Sequence, residues 1–219
     1  MALKRLPLLH VSWEDRRPAI FDGLLYVPRC YDQHKNFSFS LMQCFSCDFP
    51  IVMEICSGNG EWILKKAQEN PYINWIAVEK KPYRARKIWS NRTRLNILNL
   101  LVVLGNGEDF CQYYLPNDIL IGVYVHFPDP WPKRRHKKHR IFQKFFLHVL
   151  SQKSQPNSFV IVTTDDEPYF REIIDLFKDG NVWIEEENYH EYGSSFFSRL
   201  WEKKGKEIFI AKFVRKKRI

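Results

Sequence analysis

The chain has 219 residues, 45% of them hydrophobic, which is enough to bury a core of its own and argues against a disordered chain. Its 34 Lys and Arg against 25 Asp and Glu leave a formal net charge of +9, which points to a polyanionic partner. Five cysteines, an odd number with no secretory signal ahead of them, argue against a disulfide-built secreted scaffold, and no apolar run is long enough to cross a bilayer. Reduced thiols and a cytoplasmic location are therefore expected.

Residues 1 to about 48 carry prolines at 7, 18 and 28 and mixed polarity, and read as a partly irregular N-terminal arm. Within it Cys44 and Cys47 form a lone CxxC; with no second Cys/His pair at zinc spacing, no metal site is expected. Regular alternation begins near residue 50. Pro50 to Ile55 predicts a buried strand, and Glu61 to Glu69 a helix with Trp62, Ile63 and Ala67 on its apolar face. Asn70-Pro71 stops that helix. Trp75 to Glu79 predicts a second strand, and Pro82 opens a helix running to about Leu95. Leu100 to Leu104 is a third strand, followed by a short helix from about Glu108 to Tyr114. Ile119 to His126 is a fourth strand, with a helix from about Lys138 to Leu150. Ser158 to Thr163 is a fifth, followed by a helix over Glu167 to Phe177. Val182–Glu187 and Glu207–Val214 finish the chain as strands that can pair antiparallel.

Continuous apolar strands alternating with helices imply a mostly parallel sheet covered on both faces. The expected architecture is α/β and Rossmann-like, with seven strands. Ligands in such sheets bind beyond the carboxyl ends of the strands, near the topological switch point. The chemistry-bearing residues cluster at those ends. Gly58 and Gly60 follow the first strand and let the backbone approach a ligand closely. Glu79 ends the second, about 20 residues past the glycine turn, where a carboxylate can accept both ribose hydroxyls. Gly105-Asn106-Gly107-Glu108 follows the third and can meet an adenine edge. A third glycine that a pyrophosphate-bearing dinucleotide would favour is replaced by Ile63, so a nucleoside such as S-adenosylmethionine fits better.

The fourth strand leads into Phe127-Pro128-Asp129-Pro130-Trp131-Pro132. Three prolines in five residues exclude helix and central strand, so Asp129 and Trp131 sit on a stiff loop. The run from Lys133 to Arg140 is almost entirely cationic, and Arg215 to Arg218 is a second cationic cluster. Such clusters grip phosphates, and binding through them weakens steeply with salt. A rigid acid and an indole beside a basic run suggest chemistry on a nucleic-acid base. Taken singly, Asp129 could also be a turn-forming residue, Asp165 a helix N-cap, and the basic run a solvated face.

Glu54-Ile-x-x-Gly58-x-Gly60, Val78-Glu79-Lys80, Phe127-Pro-Asp129-Pro-Trp131-Pro-Lys133 and Thr164-Asp165-x-Glu167-x-Tyr169 occur in order across roughly residues 50 to 213. Together they resemble the tRNA (guanine-N7)-methyltransferase family. The resemblance implies a class I methyltransferase fold, S-adenosylmethionine as cofactor and a guanine in the tRNA variable loop as substrate. Carried over by motif, Glu54, Gly58, Gly60, Glu79, Asn106 and Asp129 would contact the cofactor, with Asp129 the acid at the reaction centre. Lys133, Arg134, Asp165, Ser194 and Arg199 would meet the tRNA. The chain departs from the family pattern at Cys56, at Asn106 and at Phe197, which stand where glycine, aspartate and glutamate are usual. Cys56 is expected to fit its position only with a negative φ. A catalytically weak or silent RNA-binding protein, and a methyltransferase acting on another RNA base, remain as alternatives, and both monomer and homodimer stay open.

Overall fold

A computed structural model describes residues 17–29, 37, 39–187, 189 and 205–217. Among these residues one nine-stranded sheet forms the centre, in the order β1-β2-β5-β4-β3-β6-β7-β9-β8. Its strands are β1 (Ala19–Phe21), β2 (Leu24–Tyr26), β3 (Ile51–Ile55), β4 (Asn74–Glu79), β5 (Leu100–Leu104), β6 (Leu120–His126), β7 (Ser154–Thr164), β8 (Trp183–Glu185) and β9 (Phe209–Arg215). The helices are α1 (Glu61–Glu69), α2 (Pro82–Arg94), α3 (Gly107–Tyr114), α4 (Lys144–Lys153) and α5 (Glu167–Asp179). β2, β5, β4, β3, β6 and β7 run parallel, and β9 pairs antiparallel with both β7 and β8.

Side-chain alternation along the strands feeds two cores. Ile51, Met53 and Ile55 of β3 enter the core shared with Phe110, Phe142, Phe146, Ile173 and Phe213. Val52 enters the opposite one, with Trp62, Ile63, Ile88 and Trp89 of α1 and α2. The chain steps outward from β3 through β4 to β5, then returns to the other side of β3 as β6 and β7. The switch point therefore lies between β3 and β6, where Glu54 pairs in register with Tyr124 and Ile55 with Val125.

Two features differ from the sequence expectation. The seven expected strands are present, and the stretch read as irregular adds β1 and β2. Their turn is Asp22-Gly23, with φ of 42° and 74°, the two positive values a tight hairpin of matching twist requires. Arg92 of α2 holds it: its Nε donates to the Leu100 carbonyl at 2.6 Å and one terminal nitrogen to that of Asp22 at 3.2 Å. The helix expected from Lys138 is instead a 3-10 turn, Arg134–His139, followed by extended residues and then α4. The break comes where Arg140 leaves the helical region at ψ 138° and turns inward. Among the described residues no helix is long and apolar enough to span a membrane.

Candidate active site

The strand ends around the switch point form two adjoining clefts. One of about 600 Å³ is bordered by Asn106 and Glu108 beyond β5, and by Asp129, Trp131 and His136 beyond β6. The other, about 380 Å³, is bordered by Glu79, Lys81 and Arg84 beyond β4, by His126 to Pro130, and by Asp165 beyond β7. Cys56, Lys80, Pro128 and Asp129 line both. Volumes of this size suit a nucleoside-sized ligand.

The floor is set by β3 and its loop. Gly60 opens α1 at φ 77° and lies so close to α2 that a Cβ there would stand 2.6 Å from Ile88 Cγ1. The Gly58 amide donates to Glu79 Oε2 at 2.9 Å, and the Lys81 amide to Oε1 at 2.8 Å. Glu79 thus ties the glycine loop to the end of β4 while keeping lone pairs for further donors. Burial pushes its carboxyl pKa up, against the pull of those two amides and of Arg84 and Lys80.

Glu54 is buried beneath the loop, where Oε1 meets His126 Nδ1 at 2.9 Å across the β3–β6 junction. Its Oε2 is buried without a hydrogen-bond partner among the described residues, a costly state that a ligand or water donor would relieve. Asn106 caps α3, its Oδ1 accepting from the Glu108 amide at 2.9 Å. With Oδ1 engaged in the cap, its amide N–H groups remain to donate to a ligand.

Cys56 corrects the expectation of a negative φ: it stands at +66°, in the left-handed region. Burial pushes its thiol up to about 12, with Glu79, Asp129 and Glu54 adding to the shift and Lys80 opposing it, so at neutral pH it is a protonated thiol and a poor nucleophile. The backbone here tolerates glycine far better than a β-branched residue. Cys56→Gly is expected to stay within about 1 kcal/mol of the parent and Cys56→Val to lose about 2 kcal/mol. Denaturant midpoints of the two variants check this; equal midpoints would contradict it.

Asp129 extends from the proline loop, and Lys80 Nζ donates to its Oδ2 at 2.7 Å. Both side chains are about half exposed, so this pair orients the acid more than it stabilises the fold. The loop is held in unusual backbone: Phe127 and Trp131, each before a proline, have φ of 47° and 42°. Arg140 clamps it from inside. That residue is buried, its Nε donates to the Pro130 carbonyl at 2.6 Å, and its guanidinium also reaches the Trp131 carbonyl. It pairs with Glu172 and stacks 4.5 Å over the Tyr169 ring.

The basic run therefore divides by function. Arg140 is internal and Lys137 pairs with Glu172, while His136 and His139 pack on the Trp131 ring at 5.6 and 5.4 Å. Lys133, Arg134, Arg135 and Lys138 remain exposed. The helix cap weighed for Asp165 belongs to Asp166, whose Oδ1 accepts from the Tyr169 amide at 2.9 Å. Asp165 borders the smaller cleft and pairs with Lys206 at 2.8 Å. Ser194, Phe197 and Arg199 lie outside the described residues.

The structure thus brings Glu79, Asn106, Asp129 and Asp165 to the cleft walls, with Gly58 and Gly60 in the supporting loop and Glu54 beneath it. Lys133 and Arg134 stand outside, on the flank. The sequence alone does not mark Lys80 and Arg140 as site residues. The only sequence signals were the position of Lys80 directly after Glu79, and that of Arg140 as the last cation before the apolar pair Ile141-Phe142.

Over residues 48–211 the chain matches the family model described as "Putative methyltransferase". It is 44% identical over 210 residues to a tRNA (guanine-N(7)-)-methyltransferase of Chlamydia pneumoniae, covering 93% of this chain and 94% of that one. Enzymes of the same name from Chlamydia caviae and Chlamydia trachomatis serovar D are 41% and 37% identical, with the same coverage. Among solved structures, the 16S rRNA methyltransferase KamB superposes with a TM-score of 0.64 at 14% identity, covering 83% of this chain and 96% of that one. The aminoglycoside resistance methyltransferase NpmB1 gives 0.57 at 15% identity, covering 78% and 88%. At those identities the likeness is one of fold, that of the class I methyltransferases.

Proposed function

The chain belongs to the tRNA (guanine-N7)-methyltransferase family, and from that premise we propose that it methylates N7 of a guanine in the tRNA variable loop, with Asp129 as the acid at the reaction centre. The observation that carries this reading is the position of Asp129. Among the described residues it is the one carboxylate that borders both clefts, on a stiff loop at the switch point. A cytoplasmic site of action accords with a tRNA substrate.

The residues fit S-adenosylmethionine on two structural grounds. Glu79 and Asp129 line the clefts as an acceptor for ribose hydroxyls and a counter-charge for a sulfonium, within a mixed lining that also carries Arg29, Lys80, Lys81, Arg84 and Lys138. The buried, unpartnered Glu54 Oε2 marks a place under the loop where one more donor would be stabilising. When bound, the cofactor supplies a sulfonium methyl group, which guanine N7 takes up with its in-plane lone pair while sulfur keeps the electrons of the broken bond. Glu79 would accept the ribose hydroxyls and Asn106 would donate to the adenine edge. Gly58 and Gly60 keep the loop close to the ligand.

N7 carries no proton, so no general base is needed before transfer. Asp129 has two tasks: to accept from guanine N–H groups and so aim N7, and to offset the positive charge that grows on the purine. Lys80 keeps the carboxylate turned toward the cleft until substrate donors replace it. Trp131 walls the larger cleft, and Asp165 borders the smaller one from the β7 side. Lys133 and Arg134 would hold phosphates beside it. Ser194 and Arg199 stay expectations from the sequence.

The test is transfer of labelled methyl from S-adenosylmethionine to unmodified tRNA, followed by borohydride and aniline treatment, which cleaves at N7-methylguanosine. One break in the variable loop is expected. Label incorporated without a break would place the methyl on another atom and overturn the reading.

A further inference from the structure

The structure assigns a second RNA-backbone grip to the exposed face of α2, on the opposite side of the sheet from the Lys133–Lys138 run. The inference rests on the tRNA reading above and extends it to a surface that the motifs do not touch. α2 has the sequence PYRARKIWSNRTR, with five cations and no acid. Arg92 is buried under the hairpin, and Arg94 meets Asn91. The early turns present Lys81, Arg86, Lys87 and the half-buried Arg84 outward together with Tyr83, a residue that is 64% exposed. Among the described residues none of these four cations has an ion-pair partner, unlike Lys137, Lys144, Arg171 and Lys178 on the other face. Arg84 and Lys87 are like charges three residues apart, an arrangement that costs an isolated helix a few tenths of a kcal/mol. Like charge concentrated at the rim of a cleft, of which Arg84 is partly offset by Glu79, is the footprint of a polyanion site.

Position makes the case specific. Lys81 and Arg84 border the same cleft as Asp129 and Asp165, and Arg86 and Lys87 continue outward from them along α2. α2 packs on the core that contains Trp62 and Ile88, whereas the loop after β6 leads to the core that contains Phe142 and Phe146. The acid at the strand ends is therefore flanked by cations from both faces of the sheet. An RNA strand laid across the ends would have phosphates on each flank and one base directed down toward Asp129. Tyr83, with the Arg84 guanidinium 5.7 Å from its ring, offers a face on which a neighbouring base can stack.

The double variant Arg86→Glu/Lys87→Glu tests this, since both side chains point to solvent and neither borders the cleft. Its affinity for unmodified tRNA should fall at least tenfold. The slope of log affinity against log salt should shrink by about 1.5, from about 0.7–0.9 per lost phosphate contact. Binding of S-adenosylmethionine and kcat at saturating tRNA should stay at parental values. Lys178→Glu, at the other end of the sheet, is the control and should change neither affinity nor slope. Unchanged tRNA affinity and slope in the double variant would overturn the inference, and an equal loss in the control would reduce it to a general effect of net charge. Failure of the tRNA reading would show separately, as absence of methyl transfer by the parent protein.

Discussion

Asp129→Ala should lower methyl transfer to tRNA by about a thousandfold while leaving the protein folded. Losing one preorganised charge-stabilising group costs about 10²–10³ in rate, and Asp129 is asked to aim the base as well. The fold should not notice: the side chain is 55% exposed and its ion pair with Lys80 is a surface pair, worth at most about 1 kcal/mol. The kinetic split is diagnostic. If Asp129 acts on the growing purine charge, kcat falls at saturating tRNA, and Asp129→Asn, which keeps the shape and an acceptor, recovers only part of it. If it merely shaped the turn, Asn would restore nearly full activity, because either residue supports such a turn. Single-turnover rates with both variants distinguish these outcomes, with thermal melts confirming the fold.

Arg140→Ala should cost about 3 kcal/mol of stability, because it removes a buried guanidinium and leaves two loop carbonyls without their donor. For a chain of this length that corresponds to a melting temperature lower by about 6–12 °C. The Pro130 and Trp131 carbonyls lose their donor, and Glu172 keeps only Lys137. The loop carrying Asp129 then loses its internal clamp, so kcat should fall together with stability, while cofactor affinity on the Glu79 side changes little. Arg140→Lys keeps the charge but cannot span two carbonyls, stack on Tyr169 and reach Glu172 at once. It should fall between the two. A melting temperature within 2 °C of the parent for Arg140→Ala would contradict the clamp.

What the sequence disclosed, and what it hid, follows from the range of the interactions involved. The buried strands announce themselves because both faces of a central parallel strand must be apolar, as in Leu100 to Leu104. The stiff loop is legible because proline constrains its own residue and the one before it. β1 and β2 are hard to read because three-residue strands carry almost no periodicity, though Asp22-Gly23 is a hairpin signal in its own right. Arg140 was unreadable because a run of cations looks solvated along its whole length. Its burial depends on Tyr169 and Glu172, some 30 residues away. Lys80 next to Glu79 was visible, but its bond to Asp129 depends on β4 and β6 ending on either side of β3. The φ of Cys56 is set by how the loop must turn to bring Gly58 under Glu79, which no local preference of cysteine reports.

The central claim is that guanine N7 is the methyl acceptor in a cleft whose acid need not remove a proton. It is tested most directly with a tRNA transcript in which 7-deazaguanosine replaces guanosine, leaving the Watson–Crick edge and the backbone intact and removing only the N7 lone pair. The unsubstituted transcript should take up labelled methyl from S-adenosylmethionine. The substituted transcript should bind with comparable affinity and take up none. Methyl transfer to the substituted transcript at the parental rate would contradict the account.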